Sequence, residues 1–325
     1  MNKTSFSLLF LLVFLTSCGN NVSPVDSGLE NQIFHFGNGS EPQGLDPHIV
    51  TGVPEHHILI ALCEGLTSSN PKGGAALPGM AESWSISNDG KTYTFNINKD
   101  ARWSNGDKVT ADDFVWSWNR VLTPSLGSQY TDMLYYVEGA KDFYDGNIDD
   151  FSQVGVKAIN DNTLEVVLNN PTPFFLGLLS HYSTWPVHKD TVLMHGTIDD
   201  RNGQWTRPGN FVCNGPMQLK SWELNNKIVV EKNPFYWDAQ TVKLNEIHFY
   251  PVTNIMTEDR MFRAGQLHST YTVPAQKCPV YIEEENPNLS ITPYMGTYFY
   301  RTNTLNPTLK DPKVRKALAY SINRE

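Results

Sequence analysis

Polar and apolar residues alternate along Thr92–Ile97, which follows an Asn-Asp-Gly turn at 88–90. Such alternation predicts a β-strand with one buried face. Further strands are predicted from similar patterns at 33–36, 163–168, 227–232 and 246–250. The predicted strands therefore extend from the beginning of the chain to about three quarters of its length.

A helix is predicted after Thr110, where Phe114, Trp118 and Val121 recur at helical spacing. Thr110 is a typical N-cap residue, and acidic residues follow it at the positive end of the helix dipole. Pro124 ends this helix, because the residue before a proline disfavours the helical conformation. A second helix is predicted at 55–63.

A third, amphipathic helix is predicted at 312–325, with its apolar positions at 314, 317, 318 and 322. No capping residue or closing turn follows it in the sequence. Because an amphipathic helix needs a surface to pack against, we expect the chain as given to be incomplete on its C-terminal side.

The N-terminus predicts export from the cytoplasm. Lys3 precedes an apolar run at 6–15 that is too short to cross a membrane, so residues 1–17 are predicted to form a signal peptide. Small residues precede Cys18, as in the bacterial lipobox, and Cys18 is the predicted lipidation site. An ordinary cleaved secretory peptide is the alternative. Residues 18–31 have the Gly, Asn, Ser and Pro content of a flexible tether, so the rest of the chain would lie outside the cytoplasmic membrane.

The charge of the chain argues against one class of partner. Its 325 residues include 25 Lys+Arg and 34 Asp+Glu, which gives a net charge of −9. Binding to nucleic acid needs a concentrated basic surface, so no nucleic-acid partner is expected. With 40% hydrophobic and 18% charged residues the chain can fill a core. Its length suggests two domains, or one domain and a large part of another.

The sequence lacks the motifs of common catalytic and cofactor sites. It contains no G-x-S-x-G, H-E-x-x-H or P-loop pattern. The acidic run at 145–149 starts like a calcium loop but lacks its glycine and glutamate. His56 and His57 are adjacent, so their side chains would diverge on a helix and could not chelate one ion. The three cysteines after Cys18 form no C-x-x-C pair. We therefore predict no enzyme, no metal site and no cofactor.

Short motifs follow one another along the chain. They are EPQGLDP at 41–47, GVPE at 52–55, EGL at 64–66, PGMAESW at 78–84, WSNG at 103–106, TADDF at 110–114, NGPMQL at 214–219, EKNPFYW at 231–237 and VRKAL at 314–318. In this combination the chain resembles, from about 34 to 325, the bacterial extracellular solute-binding proteins of family 5, which serve peptide ABC transporters. The resemblance is greatest to the oligopeptide-binding branch of that family.

The resemblance implies an α/β fold, a two-lobed clamshell of the type II periplasmic-binding-protein class with an extra subdomain. It places the core of the first lobe at 30–63 and 188–295, and the extra subdomain at 64–187. Residues 296–325 would form the first part of the second lobe. Because the family continues through the rest of that lobe, the resemblance implies a truncated chain in which the second lobe is largely missing. The uncapped helix at 312–325 agrees with this expectation.

The resemblance also implies a peptide-binding cleft. A receptor for varied peptides can pair with the ligand main chain as an added β-strand, while hydrated pockets tolerate different side chains. The positions that match cleft-facing residues of the family are Thr51, Gly52, Val53, Tyr130, Tyr271, Thr272, Tyr298 and Phe299. Packing is the alternative role for the aromatic residues among them. Trp84, Trp103 and Trp118 are assigned to the core.

Three positions depart from the family pattern. Thr51 stands where oligopeptide receptors often have Glu, Arg301 where an acidic residue is common, and Asn98 where Lys or Arg is usual. The first two would shift the preference toward acidic or apolar peptides. The acidic residue with which the family holds the peptide α-amino group belongs to the missing lobe, so we expect the polypeptide as given to bind weakly or not at all.

The predicted function is the extracytoplasmic substrate-binding component of a peptide ABC transporter, in the periplasm or at the cell surface. Its expected partners are di- or oligopeptides, the permease subunits of the transporter, and the membrane through a lipid on Cys18. One alternative is a receptor of the same fold for nickel, haem, glutathione or a sugar. Another is a truncated, non-transporting surface lipoprotein. An enzyme would need a nucleophile and a base, and the sequence does not indicate such a pair.

Overall fold

The computed structural model describes residues 22–293, 296 and 298–323. The predicted signal peptide and Cys18 lie outside the described residues. The chain divides into two compact units, one that ends at Pro274 and one that begins at Ala275. No helix in the described part of the chain is long and apolar enough to cross a membrane.

Helices and strands alternate irregularly along the chain. The α-helices are α1 (Pro24–Asn31), α2 (Val53–Leu62), α3 (Ala111–Leu122), α4 (Ala140–Tyr144), α5 (Phe175–Leu178), α6 (Lys189–Met194), α7 (Ile255–Arg263), α8 (Cys278–Glu283) and α9 (Pro312–Tyr320). The strands are β1 (Ile33–Gly37), β2 (Thr67–Ser68), β3 (Leu77–Pro78), β4 (Ala81–Ile86), β5 (Thr92–Ile97), β6 (Val156–Asn160), β7 (Thr163–Val167), β8 (Met217–Glu223), β9 (Lys227–Lys232) and β10 (Glu246–Tyr250). Short 3₁₀ helices lie at Pro124–Leu126, Thr131–Leu134, Phe151–Gln153, Tyr182–Thr184 and Gln204–Thr206.

Two four-stranded sheets organise the first unit. The first has the order β1-β10-β9-β8, in which β1 runs parallel to β10 and the other pairs are antiparallel. The second has the order β4-β5-β7-β6 and is antiparallel throughout. In the first sheet Ile33 stands opposite Glu246, so the beginning of the described chain pairs with a strand that is more than 200 residues away.

Helix α3 packs against the second sheet, as its periodicity predicts. Phe114 and Trp118 are fully buried in one cluster with Phe95 of β5. The helix starts at the predicted place, where the Asp113 carboxylate accepts hydrogen bonds from the amide (2.7 Å) and the hydroxyl (3.1 Å) of Thr110. The burial of Trp118 confirms its assignment to the core.

The other two tryptophans assigned to the core belong to the same cluster. Trp103 is 1% exposed, and Trp84 is half-buried and packs against the cluster. A separate cluster lies between α2 and the first sheet, where Ile58 and Leu62 pack with Phe249. Each sheet therefore has its own group of buried apolar side chains.

The second half of the predicted tether is helical in the structure. Residues Pro24–Asn31 form α1, whose N-cap Ser23 accepts a hydrogen bond from the Asp26 amide (3.1 Å). Gly28 is buried, and a Cβ at this position would stand 2.7 Å from the ring of His268. The prediction of a flexible tether is wrong for residues 24–31. Here Ser23 caps a helix, and Gly28 allows close packing against His268.

The second unit contains α8 and α9. Helix α9 starts at the predicted residue, with Asp311 as its N-cap, and ends at Tyr320. Its apolar side chains are not buried: Leu318 is 49% exposed, and Ile322, just after the helix, is 50% exposed. The predicted start of a second lobe at 296 falls inside this unit, whose own boundary is at Ala275.

Candidate ligand-binding site

Residues 51–53 form the entry to α2. Thr51 and Val53 are exposed, and Gly52 between them is the N-cap of the helix. The Glu55 carboxylate folds back toward this turn and accepts a hydrogen bond from the Gln43 amide at 2.6 Å. A Cβ on Gly52 would stand 2.0 Å from Oε2 of Glu55, so a side chain at this position would displace the Glu55 carboxylate.

Tyr130 lies beside this turn. Its hydroxyl donates a hydrogen bond to the Thr51 carbonyl oxygen at 3.4 Å. The Tyr130 ring packs edge-on against His181 and Tyr182, at centroid distances of 4.8 and 6.0 Å. Burial lowers the pKa of His181 to about 4, so this packing surface is uncharged at neutral pH. The structure thus brings together two of the predicted site residues.

An open cavity of about 440 Å³ lies beside Val53, and we call it the Tyr271 cavity. Val53, Tyr271 and Thr272 all line it. The Tyr271 ring covers Gly39, where a Cβ would lie 3.2 Å from the ring, and its centroid is 5.8 Å from that of His57. Cavities of this size are typical of sites for small ligands. Three of the predicted residues therefore share one cavity wall.

Glu258 is a lining residue of this cavity that the sequence does not indicate. It is 1% exposed, and its carboxylate accepts a hydrogen bond from the Tyr271 amide at 3.1 Å. Burial raises the pKa of Glu258 above its ordinary value, while the amides of Tyr271 and Thr272 favour the charged form. The N-cap Asn254 of α7 can be recognised from the local sequence. The contact between Glu258 and Tyr271, 13 residues further along the chain, cannot.

A second cavity, of about 330 Å³, is also lined by Thr51, and we call it the polar cavity. Gln43, Gln129, Arg201 and Arg207 contribute to its wall. The Arg201 guanidinium donates hydrogen bonds to the carbonyl groups of Leu126 and Gly127. The Arg207 guanidinium lies over the Trp222 ring, 5.5 Å from the ring centroid.

A third cavity, of about 570 Å³, is apolar. It lies between α2 and the first sheet, with Phe34, Ile60 and Ile247 among its lining residues. None of the predicted site residues lines this cavity. The predicted residues of the first unit are therefore concentrated around the other two cavities.

Tyr298 and Phe299 belong to the second unit. They are 87% and 63% exposed. The Tyr298 ring packs against Tyr300, with 5.7 Å between centroids, and the Arg301 guanidinium lies 5.9 Å from the centroid of Phe299. Their contacts are thus local, and their assignment to a ligand cleft stays a prediction.

A protein metal site usually needs at least three ligand side chains in one place. Within 22–293, 296 and 298–323, no three His, Cys, Asp or Glu side chains are grouped so that they could hold a metal ion. The rings of His56 and His57 have centroids 6.3 Å apart. Burial lowers the pKa of both histidines.

The fold and these cavities can be compared with known proteins. The family model described as bacterial extracellular solute-binding proteins, family 5 Middle, matches residues 75–325. The chain therefore belongs to this family, and the resemblance predicted from its motifs is confirmed.

Individual relatives agree with this assignment. The chain is 39% identical over 333 residues to the periplasmic oligopeptide-binding protein OppA of Escherichia coli (strain K12), with 100% of this chain and 60% of the relative covered. It is 36% identical over 332 residues to the oligopeptide-binding protein OppA of Bacillus subtilis (strain 168), with 98% and 58% covered. The chain thus spans about 60% of the length of these curated relatives.

The same relationship is visible in three dimensions. The crystal structure of Haemophilus influenzae OppA in complex with RPPGFSPFR matches with a TM-score of 0.84 and 36% identity, covering 91% of this chain and 56% of that one. OppA from Burkholderia pseudomallei also gives a TM-score of 0.84, at 34% identity. The predicted α/β fold of the type II periplasmic-binding-protein class is confirmed, and this chain corresponds to somewhat more than half of it.

Proposed function

We propose that this protein binds di- or oligopeptides through their main chain, as the substrate-binding component of a peptide ABC transporter, and delivers them to the permease subunits. The observation that carries the proposal is the Tyr271 cavity, where Val53, Tyr271 and Thr272 line one wall in a member of family 5. A matching structure, that of Haemophilus influenzae OppA, was solved in complex with RPPGFSPFR.

The chemistry of the cavity suits a peptide main chain. Glu258 engages the backbone amides of Tyr271 and Thr272, and no described residue donates a backbone hydrogen bond to the carbonyl oxygens of these two residues, which can therefore accept from a ligand. An extended peptide can pair with such a segment as an added strand, and this pairing does not depend on the peptide side chains. The exposed Tyr271 ring adds an apolar surface, with a hydroxyl at its tip.

The proposal includes a location and an anchor. The protein would act outside the cytoplasmic membrane, held to it by a lipid on Cys18 after removal of residues 1–17. Two carbon chains on one cysteine are enough for stable anchoring. Binding and release of peptides need no covalent step, so the proposed role requires neither a catalytic residue nor a cofactor.

A thermal-denaturation experiment on the protein, in the length that its source cell produces, tests this function. Separate samples receive a mixture of short peptides, nickel chloride or glucose. We expect the peptides to raise the melting temperature, because a ligand at about 100 times its dissociation constant adds about 2.7 kcal/mol of stability. The variant Tyr271→Ala should lose this response, whereas Tyr136→Ala, an exposed tyrosine outside the cavities described above, should keep it.

The other outcomes separate the alternatives. A response to nickel or glucose without a response to peptides would favour a receptor of the same fold for another solute. The absence of any response would favour a surface lipoprotein without a transport role. Either result would overturn the proposed function.

A further inference from the structure

Several hydrogen-bond donors that line the polar cavity have no acceptor in the described part of the protein. The Arg207 guanidinium makes no hydrogen bond and no ion pair with any residue there. The side-chain amides of Gln43 and Gln129 also have no hydrogen-bond partner among the described residues. All three groups line a concave site that also includes Thr51. Convergent polar groups of this kind are typical of the specificity-determining part of a ligand site.

Arg207 is exposed and contacts one aromatic ring. Its guanidinium lies over the indole of Trp222, which donates a hydrogen bond from Nε1 to Oε1 of Glu41 at 2.6 Å. The other oxygen of Glu41 accepts a hydrogen bond from the Asn225 amide at 3.1 Å. This contact uses no N–H group of Arg207, so its donors remain available to a ligand. This planar set of donors matches the two oxygens of a carboxylate.

The charged side chains that line the polar cavity favour an anion as its ligand. Asp46 also lines the cavity, but its two oxygens accept hydrogen bonds from Arg120 at 3.0 and 2.6 Å, and this pair is neutral as a whole. Arg201 and Arg207 remain as the charged groups of the wall. The carboxylates of Glu41 and Glu55 do not line the cavity, but they accept hydrogen bonds from its lining residues Trp222 and Gln43, so the two arginines are the positive groups of the wall alone. A carboxylate entering it would be attracted by both arginines.

We infer that the polar cavity binds the carboxylate of an acidic side chain in a bound peptide, with Arg207 as the specificity-determining residue. Thr51 connects the two cavities, because it lines the polar cavity and is directly joined through Gly52 to Val53 in the Tyr271 cavity. A peptide main chain beside residues 51–53 would place a side chain within reach of Arg207. The inference rests on the proposed function and extends it to the class of peptide.

Calorimetric titration of the protein, in the length that its source cell produces, with two peptides tests the inference. Ala-Glu-Ala and Ala-Gln-Ala have the same termini and differ only in the side-chain carboxylate. We expect Ala-Glu-Ala to bind about tenfold more tightly, as a charge-assisted bidentate contact provides. Arg207→Gln should abolish this difference, and Arg207→Lys should retain part of it. The control Arg102→Gln removes an exposed arginine outside the cavity and should preserve the difference.

A second readout does not depend on peptide affinity. Phenylglyoxal modification of Arg207, followed by mass mapping, is measured with Ala-Glu-Ala, glutarate or inorganic phosphate. Protection by Ala-Glu-Ala and glutarate is the expected result. Equal affinity for the two peptides without protection would overturn the inference and leave the proposed function intact. Protection of Arg207 by glutarate, without binding of any peptide, would support a carboxylate site but overturn the proposed peptide receptor. Protection by phosphate alone would overturn the inference that the site binds a carboxylate.

Discussion

Arg120 and Asp46 form a buried ion pair in which both oxygens of the carboxylate accept a hydrogen bond from the guanidinium. The same guanidinium donates to Nδ1 of His48 at 2.9 Å. Because arginine can only donate, the proton of His48 must be on Nε2, which lies 2.9 Å from the Trp185 carbonyl oxygen. This cluster fixes the segment that leads to Thr51 against α3.

The buried cluster makes stability depend on pH. Burial, followed by the Arg120 charge, lowers the pKa of His48 from 6.5 to about 4. Between these values the unfolded chain binds a proton that the native state does not, so the free energy of unfolding falls as pH falls from 6.5 through 4. The largest contribution of His48 is roughly 3 kcal/mol. Urea denaturation at neutral pH and near pH 4 should show that the free energy of unfolding falls less in His48→Gln than in the wild type. An equal fall in both proteins would contradict the lowered pKa of His48.

Glu258 is predicted to hold the backbone of Tyr271 and Thr272 in the cavity wall. Replacing it with alanine removes a charged acceptor, and such hydrogen bonds contribute about 1.5–3 kcal/mol. Hydrogen exchange at the Tyr271 amide should therefore become about 10 to 100 times faster in Glu258→Ala. The control Glu82→Ala removes an exposed carboxylate on β4 and should leave this amide unchanged. An unchanged exchange rate in Glu258→Ala would exclude the anchoring role.

Gly52 provides a second mutational test. In Gly52→Ala the new methyl group would meet Oε2 of Glu55 at 2.0 Å and push the carboxylate away from the Gln43 amide. We expect a loss of about 1–3 kcal/mol in chemical denaturation, as for an unsatisfied buried group. Gly177→Ala is the matched control, because Gly177 lies in α5 and a Cβ added there would meet no neighbouring atom within 4 Å. That variant should be neutral or slightly more stable, and similar losses in both variants would refute the steric argument.

Cys18→Ala tests the proposed anchor. Without the cysteine thiol no lipid can be attached, so we expect the variant to be released from the membrane. Cell fractionation in high salt should find the wild type in the membrane fraction and the variant in the soluble fraction. A variant that stays with the membranes would show that Cys18 is not the anchor.

Local sequence patterns predict α3 and β5 well, because their caps, turns and periodicity are complete within each segment. The predicted strands do not include β4 and β8, and both contain a register shift, between Ala81 and Ser83 and between Leu219 and Ser221. A bulge interrupts the alternation on which strand prediction depends. Helix α1 escapes prediction for a different reason, since a short Ser-capped helix with Gly has the composition of a linker.

The candidate site is accessible to prediction only in part. The family resemblance indicates Thr51 and Tyr130, and the structure places the Tyr130 hydroxyl 3.4 Å from the Thr51 carbonyl oxygen. It does not indicate Glu258 or Arg207. Arg207 contacts Trp222, which is tied to a carboxylate 181 residues earlier in the chain. Contacts between segments so far apart leave no periodic signal in one sequence.

Recognition of the peptide main chain is the central claim, and backbone methylation tests it most directly. Calorimetry on the protein, in the length that its source cell produces, measures its affinity for Ala-Phe-Ala and for the same peptide methylated at its internal amide nitrogens. We predict that methylation weakens binding by about tenfold or more, because it removes main-chain donors and leaves the side chains unchanged. Equal affinity of the two peptides, or no binding of either, would contradict the account.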